Sequence, residues 1–202
     1  INLSSETDFV AKNQEFIDFA QQVADTALTS GTKTVEELKA VALDGATVGE
    51  RLLEMVAKIG EKIDVTRFEQ VTAETVIPYI HGNFRIGVLV GLNKAAGDNI
   101  TEAGKDVAMQ IAAMNPLAVD ASGVPQETID REKAIAIEQI VAEGKPADMA
   151  EKIAAGKINK FFKDNTLLPQ PFVKDNSKTV ADYLKSVAGD LTVTGFKRIA
   201  IG

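Results

Sequence analysis

The chain contains two copies of one pattern, and this duplication constrains its fold more than any other feature of its 202 residues. Three segments of the first copy recur in the same order in the second. They are 18–24 with 106–112, 47–52 with 179–184, and 63–71 with 191–199. Ordered self-similarity of this kind indicates two related structural units, and each copy has the pattern strand, helix, helix, strand.

The second copy carries an insertion. Ala24 and Thr47 are 23 positions apart, whereas their counterparts Ala112 and Thr179 are 67 apart, so the second copy is 44 residues longer. Segments 126–142 and 147–163 are rich in helix-forming residues and are separated by Gly144-Lys145-Pro146. Gly followed by Pro is typical of one helix ending and another starting. We therefore predict an inserted helical hairpin.

The remaining periodicity places strands and helices in each copy. Strands are predicted at 75–80 and 84–92, joined by a turn at His81-Gly82-Asn83, and the first copy retains only strand 1–3. Helices are predicted at 14–29, 35–43, 48–59 and 101–114. Thr34 with Glu37 and Thr47 with Glu50 fit capping boxes, in which two side chains satisfy helix-terminal amides. The missing hairpin partner and the absent initiator Met lead us to expect more sequence upstream.

These elements predict an α+β fold, because the strands are too closely linked for parallel crossovers. It comprises two related subdomains, each an antiparallel sheet covered by helices, with the helical hairpin inserted in the second. We assign residues 1–73 to the first subdomain, 74–118 and 166–202 to the second, and 119–165 to the inserted dimerisation hairpin.

Composition excludes several classes of function. Lys and Arg number 22 against 29 Asp and Glu, a net charge of -7 that argues against a nucleic-acid partner. The chain has no Cys and one His, so no thiolate or His-rich metal site can form, and we expect no metal and no cofactor. It has no apolar run long enough for a membrane span and no signal peptide. A cytoplasmic location without membrane contact fits best.

Catalytic motifs are absent from the sequence, and we predict no catalytic residues. Phosphate-binding glycine loops, the nucleophile elbow and the zinc-binding helix motif are all missing. A serine triad would need His81 as its base, and no nucleophile is evident near it. The acidic pairs Glu36/Glu37 and Asp130/Glu132 are more typical of a solvated helix face than of acid–base catalysis.

Thr7-Asp8-Phe9-Val10-Ala11 is the most informative short motif. It places an aromatic residue at the tip of a polar loop just before a helix. Such a residue either folds back onto its own core or projects as a wedge into a partner's pocket. Composition by itself favours the core interpretation, and exposure of Phe9 discriminates between the two.

Four motifs in order resemble the elongation factor Ts family, whose members exchange nucleotide on elongation factor Tu. Residues 7–11 resemble its T-D-F-V-A signature, and residues 56–61 its A-K-I-G-E stretch. Residues 81–90 resemble the H-G-x-R-I-G-V-L-V segment, with one additional residue before Arg85. Residues 170–173 resemble its Q-P-F-V. The resemblance thus covers most of the chain.

The resemblance implies a fold that agrees with the duplication. The family has two related core subdomains with antiparallel sheets and a helical dimerisation hairpin inserted in the second. It also has an N-terminal module similar to ubiquitin-associated domains, and some members carry a C-terminal helix. We expect this sequence to lack both.

The resemblance also implies which residues bind elongation factor Tu, in its GDP-bound and nucleotide-free forms. Phe9 would enter a hydrophobic pocket of the nucleotide domain, with Asp8 beside it and Thr7 and Val10 flanking, and disturb the magnesium site. His81 and Gly82 would touch the same domain near its phosphate-binding loop. Ile59 and Gly60 would lie on the contact surface, although an apolar residue before Gly is equally typical of a helix C-cap.

The sequence therefore predicts a guanine-nucleotide exchange factor for elongation factor Tu, rather than an enzyme that makes or breaks bonds. The main alternative is a structural or oligomerisation module without exchange activity. Phe161, Phe162 and Ile153 on the hairpin would form its own seam, a surface for a homodimer, or both. An enzyme using scattered carboxylates would need a concave pocket with convergent polar groups.

Overall fold

Contacts between residues divide the chain into two units with separate hydrophobic cores. Unit 1 comprises Ile1–Gln70 and Gly82–Phe84, and unit 2 comprises Val71–His81 and Arg85–Gly202. The structure is a computed structural model that describes residues 1–201, with side chains described for residues 1–146 and 149–201. Gly202, which ends the predicted second subdomain, lies outside the described residues.

Unit 1 contains the elements of the first sequence copy. In chain order they are β1 (Asn2–Ser4), α1 (Asp8–Ala11), α2 (Gln14–Ser30), α3 (Val35–Lys39), β2 (Ala42–Leu43), β3 (Ala46–Thr47), α4 (Val48–Ile59) and β4 (Asp64–Arg67). β1 pairs antiparallel with β4, and β2 with β3. Helices α2 and α4 each bury one apolar stripe, as their hydrophobic periodicity requires. Their buried residues are Phe16, Phe19, Val23 and Ala27 in α2 and Val48, Leu52 and Met55 in α4.

Unit 2 contains the second copy and the insertion. Its elements are β5 (Thr75–His81), β6 (Ile86–Leu92), α5 (Asp98–Met114), a 3-10 turn (Ala121–Gly123), α6 (Gln126–Ala142), α7 (Ala147–Asn165), β7 (Pro171–Phe172), β8 (Asp175–Thr179), α8 (Val180–Val187) and β9 (Val193–Ala200). β5, β6 and β9 form an antiparallel sheet in that order. α5 packs on this sheet, and its buried Val107 and Ile111 share a core with Val88 and Val90 of β6.

The positions matched between the two sequence copies hold equivalent structural places. Thr47 caps α4 and Thr179 caps α8, each in a complete capping box. The strand after each of these helices, β4 or β9, pairs antiparallel with the strand that precedes the first long helix of its copy, β1 or β6. The matched buried positions are Ile63 and Val65 in unit 1 and Leu191 and Val193 in unit 2.

The insertion forms a helical hairpin from α6 and α7, as predicted. Its small core consists of Ala136 and Ile140 of α6 with Ala150 and Ala154 of α7. Small residues at the seam let the two helices approach closely. The ends of the insertion are tied together by a parallel bridge between Ala118 and Thr166. The hairpin therefore projects from a closed base.

The predicted helix at 35–43 is wrong beyond its first turn. It ends at Lys39, and the chain then forms the β2–β3 hairpin through Asp44 and Gly45, whose φ values are 49° and 83°. Two consecutive left-handed residues are the conformation of a two-residue hairpin loop, and Asp-Gly is a strong sequence signal for it. That signal outweighs the helical propensity of the preceding residues.

The capping box predicted at Thr34 forms only in part. Thr34 Oγ1 accepts the Glu37 N–H at 3.1 Å, as expected. The Glu37 carboxylate, however, accepts the N–H of Lys33 at 2.8 Å. It reaches one residue further back than a capping box requires, because Glu37 is an exposed residue with a flexible side chain.

Several other element boundaries differ by a few residues from the prediction. His81 is the last residue of β5, and β6 begins at Ile86 rather than at residue 84, because residues 82–85 form the turn. Gly82, Asn83 and Phe84 all have positive φ there. Helix α5 begins at Asp98, three residues before the predicted start.

The fold is thus α+β, as the sequence predicted, with small antiparallel sheets and covering helices among the described residues. Unit 1 ends its first segment at Gln70, close to the predicted boundary at 73. The assignment of 1–73, of 74–118 with 166–202, and of 119–165 to three functional parts stays a prediction.

Candidate partner interface

Phe9 stands on a short ordered helix rather than on a loop tip. Thr7 adopts an extended conformation and caps α1, and its Oγ1 accepts the N–H of Val10 at 3.5 Å. Because neighbouring helical residues point in different directions, Val10 packs against the unit 1 core while Phe9 points away from it. Phe9 is 88% exposed, more than any other large hydrophobic residue described. This exposure argues against the core interpretation.

Asp8 occupies the first turn of α1 and is exposed beside Phe9. A carboxylate at a helix N-terminus faces unpaired backbone N–H groups, and this is a favourable position for a negative charge. Lys12 is the C-cap of this helix, and Asn13 caps the start of α2 by accepting the Glu15 N–H at 2.9 Å. Residues 7–13 therefore form a continuous capped segment.

Ile59 and Gly60 end helix α4. Gly60 has a φ of 81° and donates its N–H to the Val56 carbonyl at 2.8 Å, so it is a left-handed C-cap. Ile59 is partly buried against the unit 1 core, and Gly60 is exposed. The pair is a helix C-cap, and a C-cap can also lie on a contact surface.

Glu61, directly after this cap, holds the start of α1. Its Oε1 accepts the Thr7 hydroxyl at 2.7 Å, and its Oε2 accepts the Thr7 N–H at 3.1 Å. In the neighbouring position, Glu6 Oε2 accepts the N–H of Lys62 at 3.3 Å. Segments 6–7 and 61–62 are thus joined by two carboxylates, one from each segment. Sequence reasoning did not single out Glu61, although it belongs to the motif at 56–61.

His81 lies at the end of β5 and is exposed. Its Nδ1 and the Tyr79 hydroxyl are 3.0 Å apart, and the two rings are tilted with centroids 5.9 Å apart. This bond restrains the imidazole beside the Tyr79 ring. Phe84, in the turn that follows, is half-exposed with a φ of 66°, an unusual conformation for a bulky residue.

The predicted site residues thus fall into two groups. Thr7, Asp8, Phe9, Val10, Ile59 and Gly60 all belong to unit 1. Within unit 1, Glu61 bonds the start of α1 to the chain just after the α4 cap, so segments 7–10 and 59–60 are held together. His81 belongs to unit 2, and Gly82 belongs to the turn segment assigned to unit 1.

The Gln170-Pro171-Phe172-Val173 motif has a packing role. Gln110 Nε2 donates to Gln170 Oε1 and to the Pro171 carbonyl, and Gln110 Oε1 accepts the Val173 N–H. Gln110 and Gln170 are both almost fully buried. Since buried amides must be hydrogen-bonded, the motif fixes the chain after the inserted hairpin onto α5.

A second buried polar cluster surrounds Asp106. Its carboxylate accepts the Tyr183 hydroxyl at 2.7 Å and the Lys174 ammonium at 2.5 Å. Desolvation by burial raises the pKa of Tyr183, and the bond to Asp106 raises it further. Tyr183 also stacks on Phe172, with ring centroids 4.1 Å apart. These contacts tie α5 to α8 and β7. They also explain the raised pKa of Tyr183 as a result of packing.

An enzymatic site would need convergent acid–base groups in a cavity. A cavity of about 400 Å³ is lined by Asn115–Val119, Gly123 and Gly195–Arg198, none of which is Asp, Glu or His. The candidate acidic residues Glu36, Glu37 and Asp130 are exposed on helices. Within residues 1–201, no helix is both long enough and apolar enough to cross a bilayer.

Comparison with known proteins places these features in a family. The family model described as "Elongation factor TS" matches residues 6–202. A protein named elongation factor Ts from Amoebophilus asiaticus is 52% identical over 202 residues, covering all of this chain and 73% of that protein. Proteins of the same name from Christiangramia forsetii and Cytophaga hutchinsonii are 48% and 46% identical with the same coverage. The resemblance inferred from four motifs is thereby confirmed.

Proposed function

The chain belongs to the elongation factor Ts family of translation elongation factors, and from this premise we propose that it is a guanine-nucleotide exchange factor. It binds elongation factor Tu in the cytoplasm, in both its GDP-bound and nucleotide-free forms, and promotes release of GDP. No bond is made or broken in this activity. The chain supplies binding free energy, and elongation factor Tu changes its affinity for nucleotide.

The observation that carries the proposal is the presentation of Phe9. An aromatic side chain that is 88% exposed gains nothing from its own core, yet its backbone is held in a capped helix. An ordered aromatic anchor that enters a partner's pocket is the usual form of an interface hot spot. Asp8 and Phe9 therefore insert near the nucleotide and magnesium site of elongation factor Tu.

Exchange follows from linkage between two binding events. If the chain binds nucleotide-free elongation factor Tu more tightly than the GDP-bound form, GDP must bind the complex more weakly by the same factor. The insertion of Phe9 supplies this preference if the pocket opens only when the magnesium site is disturbed. The carboxylate of Asp8 adds a negative charge beside the anion-binding region, which further disfavours bound GDP.

Two further contacts complete the proposed interface. The exposed Gly60 cap, with Ile59 and the flanking residues Thr7 and Val10, extends the surface around Phe9. His81 and Gly82 contact the nucleotide domain near its phosphate-binding loop. The His81 imidazole, held by Tyr79, presents its other ring nitrogen to that partner.

The proposal is tested by release of a fluorescent GDP analogue from elongation factor Tu, with and without the chain. We expect Phe9→Ala to reduce the acceleration by about thirtyfold, because truncating a hot spot costs roughly 2 kcal/mol and about 1.4 kcal/mol corresponds to tenfold. Leu28→Ala is the matched control, since Leu28 is an exposed apolar residue on α2 of the same unit. Both variants should unfold at the parent temperature.

The outcomes separate the exchange factor from its alternative. If the parent chain accelerates release and Phe9→Ala does so equally, the wedge assignment is wrong. If the parent binds elongation factor Tu without accelerating release, the chain is a docking and oligomerisation module instead. An equal loss in Leu28→Ala would mean that the effect is not specific to Phe9.

We also propose that the α6–α7 hairpin mediates a homodimer. Val141 and Met149 are exposed apolar residues on either side of its turn, and Ile135 is exposed on α6. Ile153, by contrast, packs on the hairpin's own core, and Phe161 and Phe162 contact each other edge to face. Ile153 thus belongs to the seam between α6 and α7. Val141 and Met149, near the turn, are left to contact a second copy of the chain.

A further inference from the structure

Helix α1 is too short to hold its own shape. It comprises four residues, and helices of this length are unstable alone because nucleation fixes several dihedral angles for one hydrogen bond. Its backbone bonds are long: Ala11 N–H to the Thr7 carbonyl and Lys12 N–H to the Phe9 carbonyl both measure 3.3 Å. Tertiary contacts must therefore keep α1 in place.

The C-terminal side of α1 is secured by continuity with the core. Val10 packs against the unit 1 core, and the Asn13 N–H donates to the Val10 carbonyl at 2.9 Å. Asn13 then begins α2, whose Phe16 and Phe19 are buried. These contacts fix the end of α1, and the direction of its N-terminal turn depends on what holds Thr7.

Glu61 holds Thr7 through both carboxylate oxygens. One oxygen accepts the backbone N–H and the other accepts the hydroxyl. A hydroxyl has one hydrogen, so donating it to Glu61 turns the Oγ1 lone pairs toward the Val10 N–H, the cap of α1. Bonds to an ionised acceptor are also stronger than neutral ones. One side chain therefore fixes both the backbone and the capping rotamer of Thr7.

We propose that Glu61 is a positioning residue for Phe9: by fixing Thr7, it preorganises the helix that presents the wedge to elongation factor Tu. This inference rests on the proposed function for its effect on exchange. Its structural part stands independently of any partner. Gly60 contributes by turning the chain out of α4 with a positive φ, which lets Glu61 reach a residue 54 positions away.

Preorganisation predicts a particular kinetic pattern. In Glu61→Gln one acceptor oxygen becomes an NH₂ group, so one of the two bonds to Thr7 is lost. We expect the concentration of chain that gives half-maximal GDP release to rise by about three- to tenfold, allowing for exposure of the bond. The maximal release rate should stay near the parent value, because the same Phe9 is inserted once the complex has formed.

Glu50→Gln is the matched control. Glu50 accepts the N–H and the hydroxyl of Thr47, the same pair of donors, both through Oε2, at the start of α4 in the same unit. It serves a helix that is anchored by buried residues and does not carry Phe9. We expect exchange by Glu50→Gln to match the parent. An equal rise in half-maximal concentration for both variants would overturn the proposal.

A double-variant cycle tests whether Glu61 acts through Phe9. In a Phe9→Ala background, Glu61→Gln should cause no further loss, because there is no wedge left to position. Additive losses would mean that Glu61 contacts the partner directly, and would contradict the positioning role. Thr7→Val, which removes the hydroxyl that donates to Glu61 Oε1, should behave like Glu61→Gln.

A measurement without any partner separates this inference from the proposed function. The chain contains no Trp, so Phe9→Trp introduces a single Trp at the wedge, and its fluorescence is excited selectively, apart from the two Tyr residues. In this background, Glu61→Gln should increase the amplitude of nanosecond local motion in time-resolved anisotropy, and Glu50→Gln should not. Unchanged anisotropy in Glu61→Gln would refute the positioning role even if Phe9→Ala abolishes exchange. Increased motion in a chain that does not promote exchange would refute only the proposed function.

Discussion

At Gly104 the backbone of α5 approaches the sheet so closely that a methyl group would collide with it. A Cβ there would lie 2.5 Å from Ile77 Cγ1 and 3.1 Å from Leu92 Cδ1. Both neighbours are core residues of unit 2, and neither can move into solvent. Gly156, in α7, has open space around its Cα. Gly104 therefore cannot accept a methyl group without a collision, whereas Gly156 can.

We expect Gly104→Ala to lower the free energy of unfolding by about 1 to 3 kcal/mol, the usual cost of overpacking a core. Gly156→Ala should raise it by about 0.5 to 1 kcal/mol, because Ala restricts the unfolded chain and favours the helix. Urea unfolding of both variants measures the two effects. Equal changes in the two would contradict the packing argument.

The candidate site was predictable residue by residue only in part. The motif at 7–11 indicated Phe9, and the structure supplied the observation that Phe9 is exposed while Val10 is partly buried. Glu61 could not be selected, because nothing local in the sequence shows that its side chain reaches Thr7. The motif at 170–173 carried the family resemblance, and its bonds to Gln110 give it a packing role.

The equivalent helices α4 and α8 both begin with a capping box, and each includes a carboxylate with a shifted pKa. The backbone N–H of Thr47, and then its hydroxyl, lowers the pKa of Glu50. The hydroxyl of Thr179, and then its backbone N–H, lowers that of Asp182. Both carboxylates bind fewer protons in the folded chain than in the unfolded chain at acidic pH.

Stability from these boxes should therefore be lost as the pH falls. The stability that comes from a lowered folded-state pKa is fully present when the pH is above the unfolded pKa, which is 4.5 for Glu and 3.8 for Asp. This stability is lost as the pH falls through the folded-state pKa. Urea midpoints measured from about pH 6 to about pH 3 should fall less steeply for Glu50→Gln and Asp182→Asn than for the parent. An unchanged slope in both variants would exclude the boxes as a source of acid sensitivity.

The starts of the capped helices α3 and α4 were readable from the sequence because a cap acts over three residues. The β2–β3 hairpin was missed, although Asp44-Gly45 was available as a signal, because the helical residues before it were extended too far. The sequence predicted the second-copy turn at 81–83, whereas it lies at 82–85. Its three consecutive positive φ values involve Asn83 and Phe84, which do not require that conformation by residue type.

At the scale of the whole molecule, the chain consists of two cores and a projecting hairpin. The unit 1 core is centred on Val23 and Leu38, and the unit 2 core on Ile111 and Leu184, all fully buried. The hairpin has its own four-residue core, too small to be independently stable. Contacts at its base with the rest of unit 2, and contacts with a second copy of the chain, are what can stabilise it.

We expect the chain to form a dimer whose dissociation depends on the hairpin. Val141→Lys combined with Met149→Lys places two charges at the proposed contact and should shift the mass toward the monomer, because burying unpaired charges is costly. Sedimentation velocity over a range of concentrations measures this shift. Leu28→Lys, at an exposed site on α2, is the control and should leave the mass unchanged. A parent chain that stays monomeric at every concentration would remove the hairpin from the proposed assembly.

The sequence by itself determined the order of elements, the duplication, the inserted hairpin and the family, because periodicity, capping and short motifs act over a few residues. The tertiary structure decided which distant residues meet. Glu61 and Thr7 are 54 positions apart, and Gln110 and Gln170 are 60 apart. Such pairs form only when packing of helices and strands within each unit brings their backbones together, so the exposure of Phe9 and the bonds that orient it are properties of the folded chain.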